Sequence, residues 1–264
     1  MDINQGNKKI KELIGEGLST RDLLVIAAHY RQLELQKALI GRYENKILDG
    51  LFKGCIHIGR AYGSALCPKI LGTYEKEISQ DLCELAAGKD CFLDIGCAEG
   101  YYTTGIGVAT DVPLVLGVDV SEKALSLAQK SSEANGISSK SKFFLNLAEA
   151  ASLVKGRSLV MIDVDGSEVQ VIDELFSSLS VAQSLLLELI IETDFREDGS
   201  SNAPDIESAL LKRGFVVSKV INQSVSNRFS PVSEALTTSL LDLMVFGMEG
   251  RPLSQSWIIA KPSN

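Results

Sequence analysis

The residues of this chain best suited to chemistry stand in FLDIGCAEGYY (92–102), where an apolar run ends in Asp94 and Gly96, Ala98 and Gly100 follow at every second position. Nineteen residues past Gly100, a second apolar run, PLVLGVDV, reaches Asp119 and Val120. A strand, a glycine turn, a helix and a second strand in that order hold a nucleoside against backbone amides. Small residues let the backbone approach the ligand, and the acid after the second strand accepts from both ribose hydroxyls. A dinucleotide site spaces its glycines G-x-G-x-x-G, which sets a pyrophosphate on a helix N-terminus. Here the small residues alternate instead, and Asp94 would repel a pyrophosphate. Asp94 suits a cation, so the pattern reads as a site for S-adenosylmethionine, with its sulfonium and ammonium charges.

Other residues fall around that loop. Tyr101 and Tyr102 open the following helix, one facing the methionine end of the cofactor and the other packing. Asn146, with Leu147 beside it, ends a third apolar run; its amide either meets an adenine edge or forms a turn. MIDVDGSEV puts Asp163 and Asp165 at the carboxyl end of a strand, where ligands sit in an open α/β sheet. Alternation along a strand would place both on one face. The pair then serves as base or substrate anchor, with repulsion raising one pKa, or caps the next helix, or shares a divalent cation. A cation needs a third oxygen, from Glu188, Glu192 or Asp194; none is assured, and the reading adopted has no metal. His57, in GCIHIGRAYG, is the histidine placed to take a hydroxyl proton near neutral pH. His29 falls mid-helix, and Arg60 and Arg228 offer charge to an acidic substrate group.

DIGCAEG (94–100) resembles the first motif of class I S-adenosylmethionine-dependent methyltransferases, and VDV (118–120) their second. IDVDGSEVQVIDELF (162–176), with LLLELIIE (185–192) behind it, is similar to the FkbM family of O-methyltransferases, whose fourth strand reads IDVEG-x-E before a helix. The likeness spans about the last two thirds of the chain. It departs at Ala98, where Gly is more usual, and at ELI (188–190), where the family often carries Glu with a nearby His. The resemblance implies a seven-stranded, mostly parallel, doubly wound Rossmann-like sheet and S-adenosylmethionine as cofactor. It also implies methylation of oxygen on a small molecule, such as a sugar or specialised metabolite.

The elements that must position these residues divide near residue 88. Residues 1–87 predict a helical extension, serving as a cap over the substrate cleft, a dimerisation region, or both; residues 88–264 predict the methyltransferase domain. A short helix is expected at 7–14, broken by GEG at 15–17. Ser19 stands three residues before Asp22 in a capping-box position. Apolar residues at 24, 27, 28, 35, 39 and 47 predict an amphipathic helix over 21–48. The glycine-rich stretch 50–69 reads as broken helix or loop, and 71–88 as a helix capped by Thr73 and stopped by Gly88. Strands are expected at 91–95, 114–120, 142–146, 158–164, 184–192 and 214–221, with helices at 100–109, 121–135, 147–155, 167–179 and 204–213. Their unbroken Val/Ile/Leu runs suit a sheet covered on both faces. Residues 237–250 read as helix and 256–262 as a last strand, which the resemblance adds antiparallel.

Bulk properties narrow the function classes. The chain has 264 residues, 45% of them hydrophobic, enough for one large core with an appendage. A net charge of −8 opposes non-specific nucleic-acid binding, which needs a basic footprint. Five cysteines (55, 67, 83, 91 and 97) form no C-x-x-C and read as reduced thiols of a cytoplasmic protein. No signal pattern and no membrane-length apolar run is present, so no membrane partner is expected. The expected partners are a small-molecule acceptor and a second copy, in a homodimer through the Leu24–Leu39 helix. Two rivals remain at this level: a methyltransferase fold that binds without catalysing, and a nicotinamide-dependent oxidoreductase, against which the missing third glycine counts.

Overall fold

Seven strands hydrogen-bond in the order β3-β2-β1-β4-β5-β7-β6: β1 Cys91–Ile95, β2 Val115–Val118, β3 Ser141–Phe144, β4 Ser158–Ile162, β5 Leu187–Glu192, β6 Phe215–Asn222 and β7 Ser256–Pro262. The computed structural model describes residues 8, 11–14, 17–224, 228–249 and 255–263. Neighbouring strands from β3 to β5 run parallel, and β7 enters antiparallel between β5 and β6. This is the expected seven-stranded, mostly parallel, Rossmann-like sheet, with the last strand placed antiparallel as expected.

Alternation along the central strands sorts their side chains to two cores. Leu93, Val160 and Leu189 lie in register across the sheet and enter one core. There they meet α7 (Glu168–Ser178) through Ile172 and Leu175, and α9 (Ala203–Lys212) through Ile206 and Leu210. Phe92, Leu159, Ile190 and Trp257 face the other core. It is closed by α4 (Tyr101–Ala109) and α3 (Ser79–Ala86). Apolar cover on both faces explains the unbroken aliphatic strands. The remaining crossovers are α5 (Glu122–Ala134), α6 (Leu147–Ala151) and the short α8 (Val181–Ser184).

The N-terminal residues supply α1 (Thr20–Tyr43) and α2 (Leu66–Leu71). Ser19 caps α1 as expected, accepting from the Asp22 amide at 3.2 Å. The helix stops at Tyr43 rather than 48, because Glu44 and Asn45 both turn left-handed and Lys46 pairs with Ile56. That exit delivers Ile47 and Phe52 to the sheet core. Phe52 lies over Gly105 of α4, where a Cβ would stand 2.5 Å from its ring. The short helix α2 falls at the end of the stretch read as broken helix or loop and runs on to Leu71. Residues 8 and 11–14 are helical, while 7, 9, 10, 15 and 16, which belong to the expected first helix and its GEG break, lie outside the described residues.

Three further expectations change. Thr73 is fully buried and caps nothing; a 3-10 turn at Lys76–Ile78 leads into α3, which starts only at Ser79. Residues 181–184 form α8, capped by Ser180, so β5 begins at Leu187. The tail folds as two helices, α10 (Pro231–Leu236) and α11 (Leu240–Phe246). Residue 250 lies outside the described residues. Helix α11 covers α1: Arg31 pairs with Asp242 at 2.8 Å, and Leu39 and Phe246 share an apolar cluster. No helix of the described residues is long and apolar enough to cross a membrane.

Candidate cofactor and acceptor cleft

The carboxyl ends of β1, β2 and β4 open onto a cleft of about 760 Å³, a volume typical of small-molecule sites. One wall is the turn from Gly96 to Gly100. Gly96, Ala98 and Gly100 take φ of +89°, +48° and +79°, so the alternating small residues are alternating left-handed positions. The amides of Gly96 and Cys97 both donate to the Val118 carbonyl, at 2.8 and 3.0 Å, which fastens the turn to β2.

Asp119 completes that fastening. Its Oδ2 accepts from the Ala98 amide at 2.9 Å and its Oδ1 from the Ser121 amide at 2.8 Å. Each carboxylate oxygen retains a second lone pair, so both are still able to accept from a ribose hydroxyl. Ser121, not Asp119, caps α5. Val120, 94% exposed, and Leu145, 49% exposed, flank the same mouth of the cleft with Leu147 beneath. Two bare aliphatic side chains beside Asp119 offer a surface on which a flat aromatic ring could stack. Asn146 is the cap of α6, its Oδ1 accepting from the Glu149 amide at 3.2 Å. The turn reading of that residue therefore accounts for its oxygen.

Asp94 lies buried at the end of β1. Its Oδ2 accepts from the Thr103 amide at 3.0 Å and from the Thr103 hydroxyl at 2.5 Å. Burial pushes its pKa up to about 7, with Asp163 and Asp119 adding repulsion against the pull of Thr103. A cation in the cleft would hold it ionised. Cys97 is buried, and its thiol is driven well above its ordinary pKa, which leaves it inert at neutral pH.

The strongest feature not foreseen from sequence is Glu99. It is 1% exposed and is held by Lys69 Nζ, by the Tyr62 amide at 2.9 Å, and by His57 Nε2 at 3.5 Å. Burial alone would raise its pKa; Lys69 and then His57 overcome that and hold it at about 2. Nδ1 of His57 accepts from the Gly59 amide at 3.1 Å, so the neutral ring carries its proton on Nε2, toward Glu99. Burial lowers the His57 pKa. His57 does not line the cleft, so its expected position over the acceptor gives way to a place behind Glu99. The stretch carrying it does reach the opening: Tyr62, Gly63 and Ser64 line the wall, and the Tyr62 hydroxyl bonds that of Ser121 at 2.9 Å. Only spatial proximity, not spacing, connects Glu99 with His57 and Lys69.

Asp163 and Asp165 both line the cleft, but not as a same-face strand pair. Strand β4 ends at Ile162, and Asp165 is exposed with φ +47°. Glu168 organises this turn, accepting from the Gly166 amide at 2.8 Å and from the Asn202 side chain at 2.6 Å. Glu75 and Glu192 also approach Asp163, and oxygens of these three lie within 4.8 Å of one another, close enough to hold a cation. Glu75 accepts from the Tyr102 hydroxyl, and Glu192 from the Gln223 amide at 3.0 Å. Of the alternative third ligands, Glu188 is excluded: it sits at the opposite end of β5, paired with Lys89 at 2.6 Å. Tyr101 packs edge-on against Phe52 and Tyr74, and both Tyr101 and Tyr102 line the wall. Arg228 is committed to Glu77 and Glu249, at 2.7 and 2.9 Å.

No protein-family model and no curated protein sequence matches the chain. Solved structures do. The ribosomal protein L11 methylase of Lactobacillus delbrueckii subsp. bulgaricus is 15% identical, with TM-score 0.46 over 70% of this chain and 78% of that one. A SAM-dependent methyltransferase from Thiobacillus denitrificans, in complex with S-adenosyl-L-homocysteine, is 15% identical, with TM-score 0.44 over 71% and 91%. A tRNA methyltransferase of B. subtilis is 12% identical, with TM-score 0.46 over 70% and 65%. At these identities the likeness is one of fold.

Proposed function

We propose that this protein binds S-adenosylmethionine at the Gly96–Gly100 turn and transfers its methyl group to a small-molecule acceptor. The observation that carries the reading is the double grip of Asp119 on Ala98 and Ser121, which fixes the turn with carboxylate lone pairs facing the cleft. Asp119 would hold the ribose, Val120, Leu145 and Leu147 the adenine, and Asp94 the cationic methionine end. Asn146 keeps its amide nitrogen for the adenine edge. The bound cofactor supplies an electrophilic methyl on sulfur. The chain supplies alignment, a dry wall of Tyr101 and Tyr102, and a carboxylate to receive the acceptor's proton; proximity and in-line geometry give most of the rate.

Asp163 is the preferred base, since it stands at the carboxyl end of β4 inside the cleft, with Asp165 at the rim to position the acceptor. His57 acts as a positioning residue through Glu99. An acidic cleft and a net charge of −8 support an acceptor other than nucleic acid. Transfer to a hydroxyl, in the manner of the FkbM family, rests on the motif at 162–176 alone. The division at residue 88, with 1–87 as cap, belongs to the same proposal. Calorimetric titration with S-adenosylhomocysteine and then NAD tests it: tight binding of the first and none of the second is expected, and the reverse would establish the oxidoreductase rival. Bound S-adenosylhomocysteine without transfer to any acceptor would establish the non-catalytic one.

A further inference from the structure

Among the described residues, eight acidic side chains line the cleft against a single base, Lys69, which α2 supplies. Lys69 is 3% exposed. Its ammonium donates to Glu99 and lies 4.8 and 5.1 Å from the centres of the Tyr74 and Tyr101 rings. An ammonium has three donors, and among the described residues Glu99 is its one hydrogen-bond acceptor. The aromatic faces stabilise its charge but are weak acceptors. A second polar group of the same cleft is short of a partner. The Ser64 hydroxyl oxygen is buried without a hydrogen bond among the described residues, although Ser64 lines the cleft. Buried donors without acceptors are costly, so both groups suit a ligand that accepts. Glu99 holds both against the glycine turn: it accepts from the Tyr62 amide at 2.9 Å and from Lys69, and its chain neighbours are Ala98 and Gly100. Tyr101, over whose ring the Lys69 ammonium lies, opens α4 directly after that turn.

We propose that Lys69 and Ser64 bind a carboxylate, that of the amino-acid end of S-adenosylmethionine, so that residues upstream of β1 complete the cofactor site. This rests on the methyltransferase reading and assigns it two further residues. Charge supports it. The amino-acid end of the cofactor carries an ammonium and a carboxylate on one carbon. Asp94 and the other cleft acids favour the ammonium and the sulfonium, and they repel the carboxylate. Lys69 is the one described lining residue whose charge offsets that repulsion. One of its donors serves Glu99, which leaves two for a carboxylate, and the Ser64 hydroxyl adds another. A nucleoside without the amino-acid tail would leave these donors buried and unmatched. The pair therefore selects for the intact tail.

Calorimetric titration of the full-length protein compares S-adenosylhomocysteine with its decarboxylated analogue, which keeps the adenosine and the amine. The wild type is expected to bind the first about ten- to a hundred-fold more tightly. Ser64→Ala should weaken S-adenosylhomocysteine by about five-fold and leave the decarboxylated ligand unchanged. Lys69→Met alone would strand Glu99 in the interior, so it is combined with Glu99→Gln, which removes both charges. That double variant should bind the two ligands nearly alike. The wild-type comparison and Ser64→Ala decide the matter even where the double variant does not fold. Equal binding of the two ligands by the wild type overturns the proposal, and so does equal weakening of both by Ser64→Ala. Benzoate that binds the S-adenosylhomocysteine complex and is lost in Ser64→Ala overturns it too, by giving the carboxylate to the acceptor. Failure of S-adenosylhomocysteine to bind at all overturns the cofactor reading and this proposal together, whereas binding without a carboxylate preference overturns this proposal alone.

Discussion

A Cβ on Gly96 would stand 1.7 Å from the carbonyl oxygen of Asp163, so the first and fourth strands touch backbone to backbone where they enter the cleft. The Asp163 amide returns a hydrogen bond to the Ile95 carbonyl at 3.0 Å, and the two loops form one surface. The Gly96–Gly100 turn and Asp163 are therefore positioned by a single contact.

Gly96→Ala should cost about 3 kcal/mol or more, since a methyl group cannot share that space and φ of +89° is strained for Ala. Gly136 is also left-handed, at +70°, but a Cβ there meets nothing within 4 Å, and Gly136→Ala should cost only about 1 kcal/mol. Urea unfolding of the two variants separates crowding from backbone strain. Similar losses in both would remove the argument from contact.

Asp119→Ala should weaken S-adenosylhomocysteine by about ten- to a hundred-fold, because the proposed ribose partner is lost and the Ala98 amide is released. Asp119→Asn, which keeps one acceptor oxygen, should fall between. Calorimetry showing wild-type affinity in Asp119→Ala would sink the ribose assignment.

Asp94 titrates near pH 7 in the unliganded protein because burial favours its neutral form. Its folded pKa lies above the ordinary value of 3.8, so its contribution to stability is full below that pH and is lost as pH rises toward 7. Binding a cation reverses the preference and expels the proton. S-adenosylmethionine affinity should fall as pH drops from 8 to 6, with proton release at pH 6 visible as buffer-dependent binding heat. Heat independent of the buffer would show that Asp94 does not meet the ligand's charge.

Glu99→Gln leaves Lys69 buried beside a neutral amide and should destabilise the protein by about 3 kcal/mol. The Glu99 pKa is depressed to about 2, so its stabilisation is present above its ordinary value of 4.5 and is lost as pH falls toward 2. Acid unfolding of the wild type should steepen below pH 4.5, and Glu99→Gln should lose that slope. An unchanged acid limb in the variant would mean that the ion pair adds nothing.

Residues 88–264 expressed alone should aggregate. Phe52, Ile78 and Leu82, all upstream of residue 88, cover Phe92, Leu159 and Ile106 in the second core. Uncovered apolar surface of that size drives association. A soluble fragment retaining S-adenosylhomocysteine binding would show that the N-terminal third is dispensable to the fold. Light scattering of the full chain tests the proposed dimer through α1, whose Leu24 and Val25 are exposed while Leu39 is covered by the chain itself.

Local sequence determined the sheet and the cofactor turn. Strand β1 runs over the expected residues 91–95 and β7 over the expected 256–262, because unbroken aliphatic runs between turn residues have only one burial pattern. Gly96, Ala98 and Gly100 marked a tight turn, while its left-handed backbone and the bond from the Ala98 amide to Asp119, 21 residues on, came with the folded structure. What only the tertiary structure decided was the company each acid keeps. Glu75, Asp163 and Glu192 come from a left-handed turn, a loop after β4 and the end of β5, and no spacing in the chain joins them. Glu99 met Lys69 and His57 for the same reason, and the exit of α1 at Tyr43 was set by the groove that Gly105 leaves for Phe52. Charge and packing partners contributed by distant segments are settled by how layers stack, and local pattern carries no trace of that.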